Sequence, residues 1–599
     1  MKRLINLILI TAMLGGMLFI SSCKEDFLEK EPPGSAAGSV MEDEKGVESL
    51  LIGAYDMLTG NWIFGSALGT DWTYGSGASD DCYKGTTLGD QTPFNNVEKY
   101  QCLPTNPYMA DRWTGCYNGV SRTNDVLDFL EKAKEAGKIG ENRALEIEAE
   151  AKFLRAWYHF KATRIFEKIP YIKTEEEMGM KPDEVPNDTE GWEGIEEDLT
   201  FAVQNLPENP PKGEVGRADK WAAKAVLAYV HMYQNELSDA KTHLDDIINS
   251  NAFSLVDDYK DNFGIENENN SESIFEIQVT MSAEDRAWWG VAANNLALHG
   301  AIFHQRGEAG VGWGFYQPSQ NLFEAFQTSN DGLPVLDVEA RDDLKSDMGV
   351  ASEDEFIPTD HPMDPRVDLT IARRGIDFQG WGIHRGRAWI RSQSNGGPYM
   401  TKKFMHLKEN SGKFSSPAGD FKNPRNFRAY RYSHVLLWRA EIAVEEGELD
   451  YARELVNRIR NRIANNPDTW QKGLVTDYTL GDQPDPADID WDADAANYVV
   501  APYPDDGSEN DPFRNQTEAR KAVRLEQRLE FATEGLRFFD LRRWGIADQV
   551  LNDFIEEDGN FRSFMRGSSY DPERDDYWPV PQTQLDLQEG VLTQDPAYK

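Results

Sequence analysis

Two stretches of this chain carry the same helix-pair pattern, and that repeat limits the fold more than any other feature. Arg217 to Tyr233 runs into Leu237-Ser238-Asp239-Ala240, and Tyr430 to Glu446 runs into Leu449-Asp450-Tyr451-Ala452. Aligned on the second helix of each pair, Leu237, Ala240, Leu244 and Ile247 match Leu449, Ala452, Val456 and Ile459. Apolar residues three or four apart form one stripe on a helix. The small alanine lets the two helices of a pair approach closely.

Such pairs pack as tetratricopeptide-like hairpins do, and each needs neighbours to bury its second face. Other helical stretches can supply them. Glu42 to Leu58 spaces Val47, Leu50, Leu51, Ala54 and Tyr55 by helical steps. Trp113 to Ala136 is helical again. Glu141 to Phe166 sets Ile147, Ala151, Leu154 and Tyr158 on one stripe and stops before Ile169-Pro170, where proline forbids continuation. Thr189 to Leu206 ends before Pro207. The expected class is mostly α: a tetratricopeptide-like helix-pair scaffold with large irregular loop inserts and a little β. The scaffold is expected from 41–58, 113–250, 430–464 and 517–545. The inserts are about 60–112, 251–429 and 465–515, with Ser273 to Val279 a strand. Function belongs in such inserts, positioned by the rigid part.

The first residues belong to none of this. Lys2 and Arg3 precede an apolar run from Leu4 to Ile20, and Ser21-Ser22-Cys23 closes it. That run is short for a membrane span, and small residues before a cysteine fit a lipoprotein signal peptide over 1–22. Cys23 then carries the lipid, and two or more acyl chains anchor stably. Residues 23–40, polar with Pro32-Pro33-Gly34, are a tether, and 41–599 a single domain.

A net charge of -41 excludes nucleic acid and a basic face on anionic lipid. Apart from Cys23, the cysteines are Cys82, Cys102 and Cys116, which allow at most one disulfide and fit no zinc spacing. Asp482 to Asp494 resembles a calcium loop. Ala493 and Val499 stand where a loop from Asp488 needs Gly and Glu, so it is expected to be a solvated acidic loop. HExxH, Walker A, GxSxG and CxxC are all absent, and no cofactor or metal is expected.

Aromatic residues gather in the Gly-rich inserts. Flat rings beside amides, carboxylates and arginine suit sugars, whose C–H faces stack while their hydroxyls hydrogen-bond. The candidate ligand residues are Asp71, Trp72 and Tyr74, then Arg286, Trp288 and Trp289, then Trp313 and Tyr316. Around them stand Trp62, Asp80, Asp81, Tyr83, Asn294, Phe315 and Gln317. A further group is Trp381 and Trp389 with Arg385 and Arg387. The alternatives are a glycan-active hydrolase, which needs a carboxylate pair, and a peptide-binding helical scaffold.

Six segments in order resemble the SusD/RagB family of outer-membrane glycan-binding lipoproteins. They are Cys23 to Leu28 (CKEDFL), Glu148 to Tyr171, Arg217 to Tyr233, Tyr430 to Gly447, Arg524 to Gly545 (RLEQRLEFATEGLRFFDLRRWG) and Tyr577 to Pro581 (YWPVP). The resemblance implies capture of a glycan, no catalysis, and delivery to a TonB-dependent β-barrel transporter. Lys24-Glu25-Asp26 resembles the family's surface-export signal, which implies an anchor facing the cell exterior. The Arg524–Gly545 segment also reads as an amphipathic helix whose charges pair across its own turns and cap neighbouring helices.

Overall fold

The structure, a computed structural model, describes residues 41–60, 68–279, 314–405, 407–410, 425–478 and 484–598. The expected signal peptide, tether and lipid-bearing Cys23 lie outside them.

The scaffold starts at α1 (Glu44–Asp56), where the Asp43 carboxylate accepts from the Gly46 N–H and satisfies a donor the first turn leaves open. After α2 (Thr92–Glu98) comes α3 (Pro107–Glu135). The Asn106 side chain caps α3, and Pro107 opens it with a pre-set φ. Then follow α4 (Glu141–Phe166), α5 (Trp192–Asn205), α6 (Lys220–Tyr233) and α7 (Leu237–Ser250). The second half supplies α8 (Tyr432–Glu446), α9 (Leu449–Ala464), α10 (Gln516–Phe531), α11 (Arg537–Arg543) and α12 (Ala547–Asp558).

From α3 to α7 each helix packs on the next, and α7 then meets α8, which pairs with α9 and α10. The two repeats, far apart in sequence, are neighbours in one stack. Ala240, Leu244 and Ile247 are fully buried, as are Ala452, Val456 and Ile459. Leu237 and Leu449 are partly buried at the edge of the same core. From Phe153 to Phe166, α4 is buried on every side, which marks it as the centre of the core. Among the described residues no helix is long and apolar enough to cross a membrane.

The inserts hold short strands: β1 (Cys82–Gly85), β2 (Ser273–Ile277), β3 (Phe315–Pro318), β4 (Ile371–Ala372), β5 (Met400–Thr401), β6 (Phe427–Arg431), β7 (Lys472–Val475) and β8 (Ile489–Asp494). They form four antiparallel pairs: β1 with β3, β2 with β6, β4 with β5, and β7 with β8. The first insert, expected as plain loop, contains β1, α2 and a π-helical turn at Trp72–Ser76. Residues 489–494 of the acidic stretch, expected as a solvated loop, form strand β8.

The Arg524–Gly545 segment also departs from expectation. Asp540 and Arg543 do pair across a turn, but most of the segment's charges pair with other elements. Glu526 meets Arg366 and Arg460, Glu530 meets Arg366, Arg431 and Arg462, and Glu534 meets Arg431 and Lys403, all buried. Arg528 and Arg537 both hold Asp80 of the first insert. The segment is a buried ionic joint that ties the inserts to the scaffold.

Candidate functional site

The π-helical turn Trp72–Ser76 places the first group of expected ligand residues inside the protein. Trp72 is 1% exposed, and its ring lies 5.0 Å from Phe94 and 5.0 Å from Tyr316. The Tyr74 hydroxyl donates to the Tyr108 carbonyl at 2.8 Å, and Arg112 sits over the Tyr74 ring. The Asp71 carboxylate takes Arg112, Lys161 and Arg164 together. Burial works to raise its pKa, and the three cations overcome that and hold it well below the carboxylate range. Tyr316 is fully buried, and its hydroxyl donates to the Thr533 carbonyl and accepts from the Ser76 hydroxyl.

A ring enclosed on both faces cannot stack on a sugar. Asp71, Trp72, Tyr74 and Tyr316 are therefore core, not ligand contacts. The reason is a backbone approach: a Cβ on Gly75 would fall 1.8 Å from the Gly535 carbonyl oxygen. The glycine-rich turn plugs directly against the chain between α10 and α11.

The residues around that group are also spent on structure. Asp80 and Asp81 pair with Arg528, and Tyr83 stacks on Phe554. Phe315 is buried, and Gln317 donates to the Tyr399 carbonyl. Trp389 is buried, Trp381 and Arg385 are half-buried, and Arg387 is exposed. Trp62, Arg286, Trp288, Trp289, Asn294 and Trp313 lie outside the described residues. Cys82, Cys102 and Cys116 are separate buried thiols with no disulfide among them. Burial pushes Cys116 up to about 12, so it stays protonated.

The first insert does hold a concave surface, which sequence reasoning missed. The first turn of α2 faces the start of α3 across an open groove of about 350 Å³. Its lining includes Thr92, Asn95, Asn96, Thr105 and Asn106, with Leu103 as an apolar wall and no charged side chain. The groove is braced from within. Asn106 donates to the Pro93 carbonyl at 3.0 Å and accepts from the Tyr108 N–H, while the Tyr108 hydroxyl donates to Gln91. Asn95 donates to the Leu88 carbonyl at 2.9 Å, but its buried Oδ1 has no hydrogen-bond partner. A buried acceptor left unpaired costs about 1–3 kcal/mol. Leu103 is 61% exposed, an apolar surface beside amides. The sequence signal was Thr92-Pro93 and Asn106-Pro107, which also reads as two ordinary helix starts.

One set of metal-capable groups appears among the described residues: Glu196, His231 and Glu236, with donor atoms within 4.8 Å of one another. They are engaged already. His231 Nδ1 and Glu236 share a 2.7 Å hydrogen bond, and Gln234 donates to Glu196 at 2.6 Å. These bonds close the end of α6 and tie it to α5.

Comparison with known proteins places this architecture. The solved structure of a SusD-like protein from Bacteroides fragilis superposes with a TM-score of 0.68 at 21% identity, covering 94% of this chain and 99% of that one. Surface glycan-binding protein A from Bacteroides thetaiotaomicron, solved in complex with laminarihexaose, gives a TM-score of 0.64 at 21% identity and covers 92% and 99%. Among sequence relatives, SusD-like protein P25 of Formosa agariphila is 24% identical over 553 residues, 89% of each chain. SusD-like protein P2 of the same organism is 22% identical over 602 residues, 97% of this chain and 98% of that one. Residues 26–232 match a family model described as starch-binding and associating with the outer membrane. Residues 271–598, more than half of the sequence, match the model of the SusD family, and the chain belongs to that family.

Proposed function

We propose that the protein captures a neutral oligo- or polysaccharide at the outer face of the outer membrane, to which the lipid on Cys23 tethers it. It passes the glycan to a TonB-dependent β-barrel transporter and makes or breaks no bond. The observation that carries this reading is the groove between α2 and α3. Its side chains are amides, hydroxyls and apolar surface without a charge. Sugars present hydroxyl donors beside C–H faces, which is the complementary set. Arg286, Trp288, Trp289 and Trp313, which lie outside the described residues, are kept in this proposal as the residues expected from sequence for stacking and hydrogen bonding. Trp72, the described tryptophan of the first insert, does not take part, because it fills the core.

Support comes from likeness as well. A similar structure holds laminarihexaose, and another similar structure is a laminarin-binding protein. The matched family description names starch binding and the outer membrane. Affinity should be modest for short chains, because each ring buries little area.

Affinity electrophoresis against a panel of neutral and acidic polysaccharides tests the reading. At least one neutral polysaccharide should retard the protein. The Trp288→Ala/Trp289→Ala pair should abolish the retardation, and Asn95→Ala should weaken it several-fold, with helical circular dichroism unchanged. A wild-type protein that no polysaccharide retards would sink the proposal.

A further inference from the structure

The described tryptophans are buried or half-buried with one exception. Trp491, on β8, is 51% exposed. Three features of the β7–β8 ribbon put it there.

The first is register. Lys472 pairs with Asp494 and Leu474 with Asp490, so Trp491, Asp492 and Ala493 together oppose the single residue Gly473. Extra residues in one strand form a bulge, which re-aims a side chain away from the plain alternation of a strand. The second is the seat. Gly473 has φ 104, and a Cβ on it would come within 2.9 Å of the Trp491 ring. The indole thus lies against glycine backbone with one side and offers the other to solvent. The third is fixation. Asp490 Oδ1 accepts the N–H groups of Asp492 and Ala493 across the bulge. The Lys472–Asp494 ion pair at 2.6 Å closes one end, and the Thr476 N–H donates to the Asp488 carbonyl at 2.8 Å at the other. Trp470 beside the ribbon donates its ring N–H to the Ile463 carbonyl and ties the ribbon to α9.

A half-exposed apolar ring held in this way serves no packing role on its outer side. The surroundings define what fits it. Asp490 and Asp492 are exposed beside it and repel nucleic acid, anionic lipid and acidic protein. Nearby apolar surface is small, with Leu474 at 36% exposure, far short of the contiguous patch a stable protein interface uses. A neutral sugar ring needs only one flat apolar face, with acceptors at its rim for hydroxyls.

We propose that Trp491 is an auxiliary glycan platform, separate from the α2–α3 groove, that stacks on a ring of a long neutral polysaccharide held elsewhere on the protein. This rests on the glycan-capture reading above. A second weak contact on one chain raises avidity without a new ligand type. It distinguishes chains long enough to touch both contacts from chains that touch only one.

The test compares wild type, Trp491→Ala and Trp491→Phe, using each neutral polysaccharide that retards the wild type and the hexasaccharide of the same linkage. A stacking contact contributes about 0.5–1.5 kcal/mol, which corresponds to roughly 2- to 12-fold in affinity. Trp491→Ala should weaken polysaccharide retardation by that factor, while its hexasaccharide Kd by calorimetry stays within about twofold of wild type. Trp491→Phe keeps an aromatic face and should fall between them, which separates lost stacking from a disturbed ribbon. Undiminished polysaccharide retardation in Trp491→Ala overturns the platform and leaves glycan capture standing. Equal losses for long and short ligands overturn its separateness from the first site. If no polysaccharide retards the wild type, glycan capture itself fails and the platform with it.

Discussion

At the scale of single residues, the same side chains read one way in sequence and another in space. Asp71, Trp72 and Tyr74 stand among Gly, Ser and Thr with no apolar period, the composition of an exposed recognition loop. In the structure they form a plug, because the turn folds inward against Gly535 and delivers a carboxylate to three cations on α3 and α4. Partners 41 to 93 residues away decide this, and composition carries no record of them. The plug has a consequence for pH dependence. Burial, with Arg164 and Arg112 adding to it and Asp71 opposing, pushes the Lys161 ammonium down to about 7. An unfolded lysine titrates near 10.4. Between those values the unfolded chain binds the proton that the folded chain has released, so this group makes stability rise with pH from about 7 to about 10. Below pH 7 both states are protonated and the slope vanishes. Lys161→Met should remove the slope: its urea midpoint, relative to wild type, should be higher near pH 6 than near pH 10. A difference that is constant across this range contradicts the assignment.

At the scale of elements, the helices were legible and the inserts were not. Residues 141–166 form one helix as their stripe required, and both repeat pairs fold with their alanines buried. Helical spacing is a local signal that survives in sequence. The strands are two to six residues long and pair across large separations, and only the Ser273 segment was apolar enough to be seen. In the Arg524–Gly545 segment the expected pairing across turns holds for Asp540 and Arg543, while most of its charges pair with other elements. Alternating charge and apolar residues suit a surface helix as well as a buried ionic joint, and only the arginines of other elements tell them apart. Glu530 accepts from Arg366 at 3.0 Å, Arg431 at 2.5 Å and Arg462 at 2.6 Å. Burial acts to raise its pKa, and these arginines drive it well below the usual range. Glu530→Gln would leave buried guanidinium groups without that charge, a change that costs about 3–5 kcal/mol. Chemical denaturation should show a loss of that size, and a loss under about 1 kcal/mol would contradict the joint, since surface pairs are worth that little.

At the scale of the whole molecule, a continuous stack of helices holds irregular inserts, to which the proposal assigns the binding chemistry. The acidity that excluded nucleic acid is compatible with a neutral glycan, and the α2–α3 groove supplies an uncharged polar lining for one. The family was legible from six ordered segments, of which those at 148–171, 217–233, 430–447 and 524–545 build the helix stack and its ionic joint. The proposed ligand groove was not legible: the first-insert aromatics proved to be core, and in the groove Asn106 doubles as a helix cap. The most direct test of the central claim, capture without chemistry, is one incubation of the purified protein with the polysaccharide that retards it most, assayed for retention and for new reducing ends. The account predicts retention of the protein and no rise in reducing ends over hours. Released reducing sugar that scales with protein concentration, or no retention on any polysaccharide, would contradict it.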